Sequence, residues 1–305
     1  LFKKVNFLEI LNAIEDAAFS KLDSVIVYND AENNLPLPHQ LPKSLRSKKL
    51  ASYHELICQS GAEIDNSSAD TGCNIFTTSG TTRSPKFVLH SHRSISSHAA
   101  EVWHNLKPLI KNEAFFHSLP FCGVFGFNHF SAALYGARAN VIQSSFDARE
   151  AVNLIDLHRV HYISATDDML LALLEADDRN PVLPTLTCCG YGAFNLPPEE
   201  ITQRASMRGL KLIGLYGMSE VQALFARQEH TQVDEYRYLP GGKLISQHAR
   251  VRVRHPETKE ILPHGESGEL EFKGPSLLTK YFENDVATDE LINDDGYLKS
   301  GDLGY

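Results

Sequence analysis

Between residues 114 and 216 the chain alternates short apolar runs with longer amphipathic stretches, a rhythm that few folds accommodate. The runs at 114–117, 140–143, 162–165, 186–189 and 212–216 have the length and apolar content of buried strands. Helical stretches separate them, with Asp147 and Asp167 placed as N-caps for two. This alternation predicts an α/β fold of layered, mainly parallel sheets flanked by helices, because parallel strands need long crossovers and helices supply them. A further helix is predicted over 94–109, where Ile95, Ala99, Val102 and Leu106 form one stripe. Upstream, residues 5–19 repeat at helical spacing and Val25-Ile26-Val27-Tyr28 reads as a strand. Residues 30–48 are polar, carry Pro36, Pro38 and Pro42, and read as a surface connection. After residue 225 the texture changes. Runs 249–254 and 269–273 alternate apolar and charged side chains between Gly and Pro punctuation, which predicts a small β-rich, barrel-like subdomain. The expected division is therefore 1–225 and 226–305.

Composition narrows the function. A chain of 305 residues with 42% hydrophobic content can bury a large core. Its formal charge of −9 supplies no net attraction to nucleic acid or an anionic membrane, and no apolar run approaches a membrane span. Cys58, Cys73, Cys122, Cys188 and Cys189 are odd in number, lack C-x-x-C spacing and follow no secretory leader, so reduced thiols in a cytoplasmic protein are expected. In that setting the glycosylation-like Asn66-Ser67-Ser68 has no consequence.

The stretch with most chemistry is Thr77-Thr78-Ser79-Gly80-Thr81-Thr82-Arg83-Ser84-Pro85-Lys86, between the strand-like Asn74-Ile75-Phe76 and Phe87-Val88-Leu89-His90. Hydroxyls at Thr78, Ser79, Thr81 and Thr82, backbone N–H groups freed by Gly80, and the charge of Lys86 can wrap a phosphate. An ordinary Ser/Thr-rich hairpin turn is the plain alternative. The loop of P-loop kinases, G-x-x-x-x-G-K-[ST], fits the Gly80-to-Lys86 spacing but fails at Pro85, where its second glycine belongs, and at Phe87, where its hydroxyl belongs. His90, His92 and His98 invite a metal reading, but no Cys or carboxylate sits at a conventional ligand interval, so packing is the stronger expectation.

Three further segments carry chemistry. In Cys188-Cys189-Gly190-Tyr191-Gly192-Ala193, glycines at the carboxyl end of a predicted strand would let a flat ring lie against the backbone. In Leu215-Tyr216-Gly217-Met218-Ser219-Glu220, a ring, a hydroxyl and a carboxylate follow another strand; they suit a base, a phosphate oxygen and a divalent cation. The tail holds Gly265-Glu266-Ser267-Gly268-Glu269, Asp295-Gly296-Tyr297 and Ser300-Gly301-Asp302, its turn glycines read as structural.

Together these segments resemble the adenylate-forming superfamily of acyl-CoA synthetases, aryl-acid ligases, luciferases and peptide-synthetase adenylation domains. The loop is similar to T-S-G-T-T-G-x-P-K except at Arg83, the second strand end to Y-G-x-T-E with serine for threonine, and the tail to G-E-x-G-E, D-G-[WY] and [ST]-G-D in order. Met218 resembles acyl- and aryl-CoA ligases more than peptide-synthetase domains. The resemblance implies ATP-dependent activation of a small-molecule carboxylic acid to an acyl-adenylate, with CoA or a carrier-protein phosphopantetheine as acyl acceptor. It implies that Thr78, Ser79, Gly80, Thr81, Thr82 and Lys86 hold the β- and γ-phosphates, that Ser219 meets the α-phosphate and that Glu220 holds Mg²⁺. It further implies that Gly190, Tyr191, Gly192, Tyr216 and Gly217 border the adenine of ATP or AMP, that Gly190 and Tyr191 also line the pocket of the acid substrate, and that Asp302 holds the ribose. Phe121, Cys122 and Phe125 fall where the acyl pocket is gated; the aromatic residues among 121–130 fit either that pocket or a helix core, and Cys122 is expected to be a buried thiol. The chain is expected to be an N-terminal-domain fragment stopping before a hinge, so that turnover without the mobile C-terminal domain is feeble. Arg83 and Gly214 depart from the pattern and motivate a rival reading, a non-catalytic nucleotide-binding relative.

Overall fold

A computed structural model of the chain describes residues 7–28, 45, 48–61, 66–78, 85–110, 114–195 and 198–305. Two compact units are present, Leu1–Asn66 and Ser67–Tyr305. In the first, helix α1 (Phe7–Asn12) precedes strands β1 (Ser24–Val27) and β2 (Lys49–Ser52), which pair in parallel, and helix α2 (Tyr53–Ile57) follows. The single helix expected over 5–19 is two pieces. Glu15 adopts an extended backbone, φ −62° and ψ 139°, which ends the helical run and starts a separate 3-10 turn at Asp16–Phe19. Most of the expected connection at 30–48 lies outside the described residues.

The second unit opens with a hairpin of β3 (Gly72–Thr77) and β4 (Phe87–Ser91), and helix α3 (His92–Ile110) starts directly from β4. Strand and helix then alternate as expected: β5 (Phe115–His117), α4 (Val124–Tyr135), β6 (Asn140–Ile142), α5 (Ala148–Leu157), β7 (Tyr162–Thr166), α6 (Asp167–Ala176), β8 (Cys188–Gly192), α7 (Pro198–Met207) and β9 (Leu212–Tyr216). Strands β7, β8 and β9 are parallel, as are β5 and β6. Past β9 the pairing turns antiparallel through β10 (Ala226–Arg227), short helix α8 (Asp234–Arg237) and β11 (Lys243–Leu244), giving a five-stranded sheet in the order β11-β10-β9-β8-β7.

Successive residues of β9 serve opposite faces, as strand geometry requires. Leu212 joins Ile155, Leu170, Leu173 and Ile201 under α5, α6 and α7; Ile213 and Leu215 join Val102, Leu106 and Tyr162 under α3 and α4. Full burial of each such aliphatic side chain stabilises by about 1.5–3 kcal/mol. Asp147 caps α5 by accepting from the Glu150 N–H at 2.9 Å. Asp167 is not the cap expected of it. Thr166 holds that position in α6, and the fully buried Asp167 carboxylate accepts from the N–H groups of Phe194 (2.9 Å) and Asn195 (2.5 Å), tying down the loop after β8.

The remaining elements are β12 (Arg250–Arg254), β13 (Ile261–Leu262), β14 (Gly268–Lys273), β15 (Lys280–Tyr281), α9 (Asp285–Leu291) and β16 (Leu298–Gly304). The β-rich part expected here is a four-stranded antiparallel sheet in the order β13-β12-β14-β16, open rather than closed into a barrel. Strand β15 leaves it to pair with β4, so the first hairpin becomes a three-stranded sheet.

Inside the β-rich sheet Glu271, 1% exposed, accepts from Arg252 at 2.5 Å and from Arg254 at 2.7 Å. Burial alone would raise its pKa, but the hydrogen bonds from Arg254 and Arg252 outweigh burial and hold it below the usual carboxylate value. Removing the acid strips Arg254 of its carboxylate and leaves Arg252 only the exposed Asp295, 3.0 Å away, so Glu271→Ala should cost about 3 kcal/mol at pH 7, read from the urea midpoint. Because the native carboxylate binds its proton less readily than the unfolded one, this difference should shrink as pH falls below about 4.5. An unchanged midpoint at pH 7 would contradict the assignment.

Candidate active site

The predicted loop and strand ends converge. Thr78, Lys86, Ser219, Glu220, Ser300 and Gly301 line one cavity of about 740 Å³. Ser79, Gly80, Thr81 and Thr82 lie outside the described residues. The neck of the loop is closed by the Thr78 N–H donating to the Lys86 carbonyl at 3.0 Å, so Thr78 offers its hydroxyl and not its N–H. That hydroxyl is buried without a hydrogen-bond partner among the described residues, an orphan suited to a phosphate oxygen. The Lys86 ammonium sits 4.8 Å from the centroid of the Tyr281 ring.

The turn after β9 is pinned from several sides. Glu220, 5% exposed, accepts from the Tyr281 hydroxyl at 2.7 Å, and its carbonyl accepts from the Leu278 N–H at 2.7 Å. His90 Nε2 lies 2.8 Å from the Ser219 carbonyl, which can only accept, so Nε2 carries the proton. Burial pushes the His90 pKa down to about 4, leaving the ring neutral at physiological pH. Gln222 and Ala223 hold left-handed backbones, φ 61° and 65°, an arrangement that costs about 1–3 kcal/mol per residue and persists where neighbours enforce it. The neighbours are Ser94, whose carbonyl accepts from the Gln222 side chain at 2.8 Å, and Asn128, which donates to the Gln222 carbonyl at 2.8 Å.

Tyr216 donates to Asp302 at 2.6 Å, joining the end of β9 to β16. Burial and then the Asp302 carboxylate raise its pKa, so the phenol stays protonated. Tyr216 and Gly217 line a second cavity of about 390 Å³ with Tyr191, Gly192, Phe194 and Tyr238. The two cavities share Val124, Phe125, Met218 and Ser219.

Some expectations need correction. Gly190 and Gly192 lie within β8, which runs three residues past the expected strand end at Cys189, and the space a Cβ at Gly190 would need is taken by the Tyr162 hydroxyl, 2.2 Å away. Gly190 therefore packs against the core, while Gly192 reaches the cavity. Cys122 is exposed, not buried, because it sits on the turn that precedes α4. Phe125 faces both cavities, whereas Phe121 stacks on Phe130 with centroids 4.5 Å apart and meets His117 edge-on at 5.8 Å. Gly214 has a packing cause, since a Cβ there would lie 1.9 Å from the Leu239 carbonyl oxygen.

His90, Asn128 and Gln222 are positioning groups that no sequence motif marks. A face-parity argument could have found His90, which shares the buried side of β4 with Val88. Magnesium fits the donor set in one way. No group of three His, Cys, Asp or Glu among the described residues is placed to hold a metal by itself. One fixed carboxylate, Glu220, suits a cation that takes its other ligands from phosphates and water. Among the described residues no helix is long and apolar enough to cross a membrane.

Comparison with known proteins agrees with this geometry. The chain is similar to 4-coumarate–CoA ligase-like 4 of Oryza sativa subsp. japonica, 29% identical over 245 residues that make up 79% of this chain and 44% of the rice protein. It is similar to 2-succinylbenzoate–CoA ligase of Bacillus licheniformis, 26% identical over 268 residues, 88% of this chain and 54% of that protein. The chain spans about half the length of the curated relatives it matches. In fold it is similar to O-succinylbenzoate coenzyme A synthetase from Bacillus subtilis in complex with ATP and magnesium ion. The TM-score is 0.78 at 22% identity, over 100% of this chain and 61% of that one. The sequence profile of AMP-binding enzymes matches residues 4–282, and the protein belongs to the AMP-binding enzyme family.

Proposed function

We propose that this chain is the nucleotide- and acid-binding part of an ATP-dependent, AMP-forming acid–thiol ligase. The observation that carries the reading is the convergence of Thr78, Lys86, Ser219 and Glu220 on one cavity, with the Tyr216–Asp302 bond joining the ends of β9 and β16. A carboxylate oxygen of the acid attacks the α-phosphorus of ATP, the bond to the bridging oxygen breaks, and pyrophosphate leaves with the electron pair. No proton moves at the reacting atoms, so the protein must align the reactants and neutralise charge.

Thr78 and Lys86 hold the β- and γ-phosphates, Ser219 meets the α-phosphate, Tyr216 borders the base and Asp302 accepts from the ribose hydroxyls. Magnesium bound beside Glu220 supplies charge neutralisation on the phosphates. Tyr281 keeps the Glu220 carboxylate in place through its hydroxyl. Asp302 comes from β16, the last strand of the β-rich sheet. Thioester formation with CoA or a carrier-protein phosphopantetheine follows in the whole protein, and relatives named CoA ligases support CoA first. Five free cysteines fit the reducing cytoplasm.

The intact protein should catalyse acid-dependent exchange of labelled pyrophosphate into ATP with at least one member of a panel of aryl and aliphatic acids, and release AMP. Silence across the panel, or ADP as the nucleotide product, would contradict this function. Lys86→Ala should weaken ATP binding by roughly tenfold or more while leaving AMP binding nearly unchanged, since a charge-assisted contact to the outer phosphates is lost. Calorimetric titration of both nucleotides reads the difference, and equal losses for ATP and AMP would remove Lys86 from the outer phosphates.

A further inference from the structure

Lys86 shares its cavity with three carboxylates, Glu220, Glu269 and Glu290, and with a second cation, Lys299. Glu269 is half-buried and Glu290 exposed, whereas Glu220 is 5% exposed, so its attraction for an ammonium is the least weakened by water and salt. An ion pair between Lys86 and Glu220 would cancel the two charges that the outer phosphates and a divalent cation need. Among the described residues no such pair is present. Both side chains turn to Tyr281 instead. The ammonium lies over the ring, 4.8 Å from its centroid, and the carboxylate accepts from the hydroxyl at 2.7 Å.

These contacts use different directions of one side chain. The electron-rich face of the ring attracts a cation, whereas a phenol hydroxyl donates close to the ring plane. The two charges are therefore held along different lines by a single group. Burial, and then the Glu220 carboxylate, raise the phenol's pKa, so the hydroxyl is a donor at physiological pH. The ring is also fixed in place: Tyr281 is 2% exposed, shares a core with Val221 and Phe225, pairs with Val88 of β4, and its N–H donates to the Thr288 hydroxyl at 3.0 Å.

We infer that Tyr281 is a positioning residue that keeps Lys86 and Glu220 from pairing with each other, its face taking the ammonium and its hydroxyl the carboxylate. Each charge then stays available, Lys86 to the outer phosphates and Glu220 to magnesium. The inference rests on the proposed function for what the two charges bind, and on the geometry alone for their separation.

Tyr281→Phe keeps the face and loses the donor; Tyr281→Leu loses both. ATP is titrated calorimetrically into the intact protein and each variant, with magnesium and with EDTA, once circular dichroism shows the fold retained. In Tyr281→Phe, ATP affinity in EDTA should stay within about twofold of the unsubstituted value while the gain from magnesium falls about fivefold or more, since only Glu220 has lost its anchor. In Tyr281→Leu, affinity in EDTA should fall about tenfold, because an ion pair that leaves about a tenth of the molecules with a free Lys86 lowers apparent affinity by that factor. Adding Glu220→Gln removes the competing charge and should restore this affinity to within about threefold, a rescue that damage to packing would not allow. Without nucleotide, the urea midpoint shifts of Lys86→Gln and Glu220→Gln should add in the unsubstituted background and fail to add in Tyr281→Leu, where the two side chains meet. Tyr281→Phe, which preserves the buried ring, carries the test if Tyr281→Leu does not fold. Equal losses with and without magnesium in Tyr281→Phe, no rescue in Tyr281→Leu, or additive midpoints there overturn the positioning assignment and leave the proposed function standing. No ATP binding by the unsubstituted protein in either buffer overturns the proposed function, and the midpoints then decide the separation of the two charges by themselves.

Discussion

The hydrogen bond from Tyr281 to Glu220 couples parts of the second unit that are far apart in sequence. Tyr281 belongs to β15, which pairs with β4 of the first hairpin, while Glu220 follows β9 of the main sheet. Beneath the bond, Val88, Val221, Phe225, Phe272 and Leu298 from the hairpin, the turn and the β-rich sheet share one core. A buried carboxylate without a donor would be costly, and a buried phenol without an acceptor nearly as costly, so each group requires the other. The bond therefore sets where the hairpin stands relative to the end of β9, and with it where Lys86 stands relative to Ser219.

Preorganisation follows from the same arrangement. The proposed acyl-adenylate formation would ask the protein for fixed charges and donors in place before the reactants arrive, since dipoles that need not reorganise stabilise the transition state most effectively. The turn at 219–223 meets that demand at the expense of two left-handed residues, held by His90, Ser94 and Asn128. His90 contributes as a neutral donor because burial keeps it uncharged. A protonated ring there would place an uncompensated charge in the core beside the site.

The alternation of strands and helices from 114 to 216 was legible because each strand is an apolar run and each helix presents a stripe. Those are the two periodicities that burial imposes. The motifs at 215–220 and 300–302 pointed to the site because their residue types suit separate parts of a nucleotide. What the sequence concealed was tertiary. The two-residue strand β15 has no local signature, and its place beside β4 depends on the Tyr281 hydroxyl finding Glu220. Glycine was read as a strand terminator at Gly190, whereas a neighbouring tyrosine hydroxyl makes glycine a requirement inside β8. Cys122 is exposed where a buried thiol is expected, because whether a turn projects outward is decided by the elements around it. Asp167 looked like a helix cap from its position, yet its carboxylate holds a loop 27 and 28 residues away.

The central claim is that the hairpin loop, the turn after β9 and the end of β16 enclose one adenine nucleotide. A crystal structure of the protein with a non-hydrolysable ATP analogue and magnesium tests it directly. The account predicts outer phosphates between Thr78 and Lys86, the cation against Glu220, the ribose on Asp302 and the base beside Tyr216. Density for the analogue away from the cavity that Lys86 shares with Ser219 would contradict it.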